Sequence, residues 1–583
     1  MLTSFDYAVL GFYLLLLVGV GVYFHRAGRN SSEYFRGGGR MSWWMVGCSG
    51  FMGAFSAWTF TGGASLAYSF GLFVLAMYLT NAIGFFVNWV YFARLFRRTR
   101  VITALEAVRL RLGPVNEQVF TWLSVPFQVL QAGIWLYGLA VFCTPVFGFS
   151  VQTTLLVGGL VVVFLATAGG AWAVVAGDFI QALVLVPITL VAAYSAVRYV
   201  GGPAAFLHHI PASHWRLDAP EAGLGIWYLI AVALEKLSNL NGLNYASRYL
   251  NVRDGRDARK AAALTTVLFV FGSFVWFIPP LAARISGLPL GHFEGIHNPA
   301  DMSFVVIAAR CLPAGLMGLL VTGIVSSTVS AMDTGLNRNA GIFVRSFYLP
   351  VVRPQATESE LVVVGRMTTA GFGVLAIATG LLYASWANKD VFHLMMSFSS
   401  LVATPYAVPL VWCVLLKRSP DWAAWSTLAV CLAAGVTVNL LPPLPAGAAG
   451  WPHWLAGLWT WARSDNGSYV AVTVSACVLG SLWYLGAAWL CPPRLSPARQ
   501  QESAEFFRRV ATPIADEERP TLDIGRHRGI ARMCLVYAGF LVVLAVLTRS
   551  WKGAGGLLFC AAFLAAVSVG IEFALRRSAG RDA

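Results

Sequence analysis

Fifteen predominantly apolar stretches, most of them close to the length of a membrane-spanning helix, dominate this chain. An α-helix rises 1.5 Å per residue, so roughly 20 apolar residues cross a hydrocarbon core about 30 Å thick. That ruler gives spans at 5–25, 42–66, 68–95, 118–145, 151–169, 173–200, 225–246, 262–286, 303–347, 366–386, 391–417, 421–442, 468–491, 530–549 and 553–576. The stretch 303–347 is too long for one crossing, and Pro313 and Gly315 split it into a short outer helix and a long span. The fold class is an all-α polytopic membrane protein. Composition agrees: 58% of the 583 residues are hydrophobic and 11% charged, where a soluble domain has about 45–50% and about 25%. A soluble enzyme, a disordered chain and a coiled coil are excluded. The first run, Tyr7 to Tyr23, has no basic lead-in and no small-residue cleavage site, so it reads as a spanning helix rather than a signal peptide.

The net charge of +15 raises nucleic acid as a partner, but the basic residues follow a different logic. They cluster after span one (Arg26, Arg29, Arg36, Arg40), three (Arg94, Arg97, Arg98, Arg100, Arg109, Arg111) and seven (Arg248, Arg253, Arg256, Arg259, Lys260). Further clusters follow span nine (Arg345, Arg353, Arg366), eleven (Lys417, Arg418), thirteen (Arg494, Arg499, Arg508, Arg509) and fifteen (Arg576, Arg577). All are odd-numbered exits. Cytoplasmic loops collect Lys and Arg, so the pattern predicts an inner (plasma) membrane protein with an external N-terminus and a cytoplasmic C-terminus. Nucleic acid is not an expected partner. The polar stretch 492–529 becomes a cytoplasmic linker, too short for a catalytic domain. Nine cysteines are scattered without disulfide-framework or metal-ligand spacing.

Polar residues within the spans mark the chemistry. Span two holds Gly50, Gly53, Gly62 and Gly63 with Ser49, Ser56, Thr59 and Thr61. Small residues serve close helix packing; they also permit a helix unwound mid-membrane, its carbonyls free for a cation. Span seven carries Glu235, Lys236, Ser238, Asn239, Asn241, Gly242 and Asn244. Mid-membrane charges face a cavity or a partner, here either each other in a structural pair or a solute. The two segments lead equivalent halves, spans two to six and seven to eleven, the pattern of an inverted-repeat transporter with a midplane site. Asp178 in span six and Asp333 in span nine are two further embedded acids. Ser327, Ser330 and Thr334 share a helix face beside Asp333, suited either to tight packing or to a hard cation. Thr404, Pro405, Tyr406 and Pro409 predict a kinked span eleven.

Four stretches in order then resemble the sodium:solute symporter family: Ser32 to Trp44 (SEYFRGGGRMSWW), Thr103 to Arg111 (TALEAVRLR), Gly169 to Gln181 (GGAWAVVAGDFIQ), and Leu312 (LPAGLMG) through Asn339. The resemblance covers roughly residues 5–440. It implies a LeuT-like core of ten helices at 42–417, preceded by an extra helix and loop at 1–41. Two accessory helices at 418–491, the linker at 492–529 and two terminal helices at 530–583 follow. It implies alternating-access, sodium-coupled symport of a small organic solute: a sugar, polyol, amino acid or carboxylate. The resemblance places a primary sodium site on the backbone carbonyls of Met52, Phe55 and Ser327 and the hydroxyl of Ser330. The companion hydroxyl position falls on Ala331, or the pair shifts to Ser326 and Ser327. A second ion site falls on Asp178, Ser330, Asp333 and Thr334 and is open to sodium or a proton. Asp333 could instead pair with Arg338. The solute is expected among Trp58, Tyr78, Glu235, Lys236 and Asn241, with Tyr78 standing where sugar-carrying relatives have an acid.

A transporter-like sensor and a membrane enzyme are the rivals. The first lacks a signalling domain and the second a clustered catalytic set, so neither an enzyme nor an obligate protein partner is expected; the partners are the solute and the lipid bilayer.

Overall fold

The computed structural model describes residues 2–25, 30–291, 293–294, 296–385, 391–442, 452–491, 495–548 and 550–582. Arg26, Arg29 and Arg494 of the basic clusters, and the side chain of Arg577, lie outside the described part. Each expected span is present. Span one is Ser4–His25, and span two is split into Trp43–Met52 and Gly62–Phe70 around a short turn, Ala57–Phe60. Span three runs Phe73–Arg98 and span four Pro114–Phe147. Spans five and six lie within Val151–Tyr199, and span seven is Ile226–Asn241 followed by the turn Leu243–Arg248. Span eight joins Gly255–Trp276 to Ile278–Ser286; a short Ser303–Cys311 precedes span nine, Leu316–Phe343. Spans ten to thirteen are Glu358–Ser385, Val391–Leu415, Trp422–Asn439 and Asp465–Leu490. Spans fourteen and fifteen are Ile524–Leu547 and Trp551–Asp582. Among the described residues, twelve helices are long and apolar enough to cross a bilayer alone. The remaining three spans are the interrupted two and seven and the short five.

A 49-residue helix over Val151–Tyr199 would reach about 74 Å if straight, more than twice a hydrocarbon core. It is broken at Gly170, whose φ of +61° and ψ of −171° suit glycine alone. A Cβ there would also strike the Tyr34 ring. Span eleven bends through a π-turn at Ser399–Ala403, with Pro409 inside its second half.

The odd-numbered exits touch one another, which upholds the parity of the span count. Arg345 binds Glu106 and Ser31, joining the segments after spans nine, three and one. Arg97 donates to the carbonyls of Val252 and Arg253, after span seven. Arg111, fully buried, donates to Cys413, Leu416 and Lys417 at the end of span eleven. A guanidinium with its five donors is well suited to these orphaned carbonyls of a helix end. The opposite face is joined separately: the Leu72 N–H donates to the His214 carbonyl, Asn298 to Ser65, and Asn466 to Ala222.

The linker is more structured than its polarity suggests. Pro497–Ala511 is a helix docked on the arginine-rich face. Ser503 is buried against Arg111, Arg499 pairs with Asp421, and Arg519 with Asp254. Span one is fastened at its other end. The Asp6 carboxylate accepts from the N–H groups of Gly315 and Gly318, capping the start of span nine. Gly318 permits this approach, since a Cβ would lie 2.5 Å from Asp6 Cα.

Candidate functional site

The first half of span two ends at Met52, and the chain stays irregular to the turn at Ala57–Phe60, which Ser56 caps. At this break the carbonyls of Ser49 and Gly53 accept from Arg248, at 3.3 and 3.0 Å. Among the described residues, the carbonyls of Met52 and Phe55 accept no hydrogen bond from a backbone N–H. The break is tied to span nine, where the Ala57 N–H donates to the Thr328 hydroxyl at 2.9 Å. Span seven loses its helix at Gly242, in extended backbone, and its continuing turn delivers Arg248. Each half of the inverted repeat therefore opens on an interrupted helix, and one guanidinium bridges the two interruptions.

Between them lies a cavity. Trp58, Tyr78, Trp135 and Met395 form much of its wall, with Lys236, Asn81, Ser56 and Thr59 adding polar side chains. Trp58 stacks on Tyr78, with ring centroids 5.9 Å apart. Two polar groups of the wall are already engaged: the Trp58 indole N–H donates to the Val391 carbonyl, and the Tyr78 hydroxyl to Thr59. Glu235 and Asn241 do not line the cavity. The Asn241 amide is taken by the carbonyls of Gly84 and Leu237. Glu235, 1% exposed, accepts from Lys236 at 2.7 Å and also from Asn239, Ser399 and Tyr469. Four donors saturate this carboxylate, whereas Lys236 uses one of its three N–H groups on it. The structure thus pairs Lys236 with Glu235 and sets Lys236, but not Glu235, on the cavity wall.

The embedded oxygens divide into two groups. Asp178, buried in span six, accepts from Ser49 and Thr334, with the Ser330 hydroxyl beside it. Ser49, on span two, is a member that spacing within span nine does not disclose. The Ser330 hydroxyl has no hydrogen-bond partner, and neither does one oxygen of Asp333. Ser326 and Ser327 donate back to the carbonyls of Gly323 and Ile324. The suggested pairing of Asp333 with Arg338 is absent: Arg338 donates to Gln128 at 3.2 Å. Five residues of separation put the two on different helix faces.

Comparison with known proteins decides the family. The model of the sodium:solute symporter family matches residues 34–430. The chain belongs to the sodium:solute symporter family. It is 25% identical over 433 residues to the sodium/glucose cotransporter of Vibrio parahaemolyticus, covering 69% of this chain and 79% of that one. It is 24% identical over 464 residues to the sodium/sialic acid symporter SiaT of Proteus mirabilis, covering 76% and 89%. A Na+-coupled sialic acid symporter, solved substrate-bound and outward-open, superposes with a TM-score of 0.65 at 18% identity, covering 82% of this chain and 98% of that one. The architecture is thus LeuT-like and the protein is a sodium-coupled secondary transporter of a small solute.

In this symporter span thirteen is linked to Lys236, on the cavity wall, through one hydroxyl and Glu235. Tyr469, on span thirteen, donates to Glu235 at 2.6 Å, and Glu235 holds Lys236. Tyr469→Phe removes a hydrogen bond to a charged group, about 1.5–3 kcal/mol, part of which is felt at Lys236. The expected result is a severalfold rise in the solute concentration for half-maximal uptake into proteoliposomes, with sodium dependence unchanged. Unaltered solute affinity would make span thirteen a packing element only.

Proposed function

We propose that this symporter carries a small carboxylate with an apolar or aromatic body, and that Lys236 binds the carboxylate. The single observation behind this is the Lys236 ammonium on an aromatic and methionine-rich wall, with two of its donors unspent. A sugar or polyol needs many hydrogen bonds, yet the Trp58 and Tyr78 donors are spent within the protein. An amino acid would bring an ammonium group toward Lys236, whose carboxylate partner Glu235 already accepts from four donors. A ligand that binds the folded state raises apparent stability by mass action. Alkyl and aryl monocarboxylates should therefore raise the melting temperature of purified protein in sodium but not in choline, and Lys236→Gln should abolish the rise. Stabilisation by sugars but not by carboxylates would overturn the assignment.

For the coupling ion, we propose a primary sodium at the free carbonyls of Met52 and Phe55, with oxygens of span nine (the Ser327 carbonyl and Ser330 hydroxyl, or the Ser326/Ser327 pair) completing it. A second cation is proposed on Asp178, Ser330, Thr334 and Asp333. Hard cations favour such oxygen sets, and a bound cation relieves two carboxylates that would otherwise repel in a low dielectric. Asp178→Asn and Asp333→Asn should lower the sodium Hill coefficient of uptake toward one. A coefficient that neither substitution changes would leave a single sodium site.

We further propose that spans two to eleven form the transport core and that the arginine-rich face is cytoplasmic, as the Lys/Arg bias indicates. Ala504 is exposed on the linker helix, unlike the buried Ser503. A cysteine replacing Ala504 should react with a membrane-impermeant maleimide only after cells are opened; labelling of intact cells would reverse the topology.

A further inference from the structure

A second cavity lies apart from the first, on the side of the arginine-rich face. Its wall includes Arg248, Arg338, Asn337, Asn251 and Thr334, and no Asp or Glu. Two of its donors have no partner among the described residues. The Arg248 Nε and the Asn337 Nδ2 are buried without a hydrogen bond. Arg248 is 8% exposed, with its two terminal nitrogens engaged by the carbonyls of Ser49 and Gly53. Arg338 makes one hydrogen bond, to Gln128, and among the described residues no ion pair. Asp178 acts on Arg248 from beyond Ser49, but it lies outside this wall.

Buried donors without acceptors are costly. Two guanidiniums and an amide converging on an acid-free space present the complement of an anion, and arginine suits carboxylate in particular. We propose that this cavity is an anion-binding site, held by Arg338, Arg248 and Asn337, for a small carboxylate or an inorganic anion of similar size. The carboxylate arm extends the solute reading above, placing a second station for the solute between the midplane and the arginine-rich face; the inorganic arm is independent of that reading. In either case occupancy bears directly on the break in span two, because Arg248 already holds two of its carbonyls.

The test uses full-length Lys236→Gln protein, in which the midplane carboxylate contact is removed. Acetate and chloride are titrated separately at fixed sodium against a bulky sulfonate background, and the apparent melting temperature is read. The expected result is saturable stabilisation, with half-saturation about tenfold weaker in Arg338→Gln and Asn337→Leu and partly restored in Arg338→Lys. Arg338→Lys and Asn337→Leu keep the test informative if Arg338→Gln fails to fold. Stabilisation by acetate alone assigns the site to carboxylates, and stabilisation by chloride alone assigns it to an inorganic anion. No saturable response, or one unchanged by the Arg338 and Asn337 substitutions, overturns the proposal. Failure of carboxylates to stabilise the unsubstituted protein, alongside a chloride response here, would count against the solute reading and not against this site.

Discussion

One side chain holds together what two helix interruptions would otherwise leave apart. Backbone groups in a membrane interior must find partners inside the protein. At the break in span two, Arg248 from the unwound end of span seven donates to the carbonyls of Ser49, which also holds the Gly53 N–H, and of Gly53. Gly53 makes the approach possible, since a Cβ there would lie 2.3 Å from an Arg248 nitrogen. With these two carbonyls engaged, those of Met52 and Phe55 remain without backbone donors at the same break. The midplane cavity, the Asp178 cluster and the arginine-lined cavity all surround this contact. A buried guanidinium is tolerated here because carbonyls accept from it.

The elements outside the ten-helix arrangement reach inward as well. Asp6 caps span nine, the helix that carries Ser330 and Asp333. Tyr469 of span thirteen meets Glu235, which holds Lys236. The linker helix seats Ser503 and Phe507 on Arg111, and Arg111 in turn binds the end of span eleven. Each is a polar contact at a place where a helix end or an embedded charge needs a partner. Additional helices therefore serve an electrostatic purpose here as well as covering apolar surface.

Span number and parity, and the interruptions in spans two and seven, were legible in the linear chain. Each is local: apolar length sets a crossing, Lys and Arg mark the sides, and clustered Gly and Asn weaken a helix where they stand. Asp178 was legible as a candidate for a similar reason, because an acid within an apolar run must face a partner or a cavity. Side-chain direction was not legible. Glu235 and Lys236 are adjacent, yet one is closed off by Tyr469 from 234 residues away while the other faces the cavity. Ser49 joins Asp178 across 129 residues, and Arg248 meets Gly53 across 195. The rotation of each helix about its axis decides such contacts, and that rotation is set by packing against neighbours. Hydropathy and charge along the chain thus determined how often it crosses the membrane and where it breaks. Only the packed bundle decided which polar groups meet, because helices remote in sequence must first be fixed against one another before their side chains can pair.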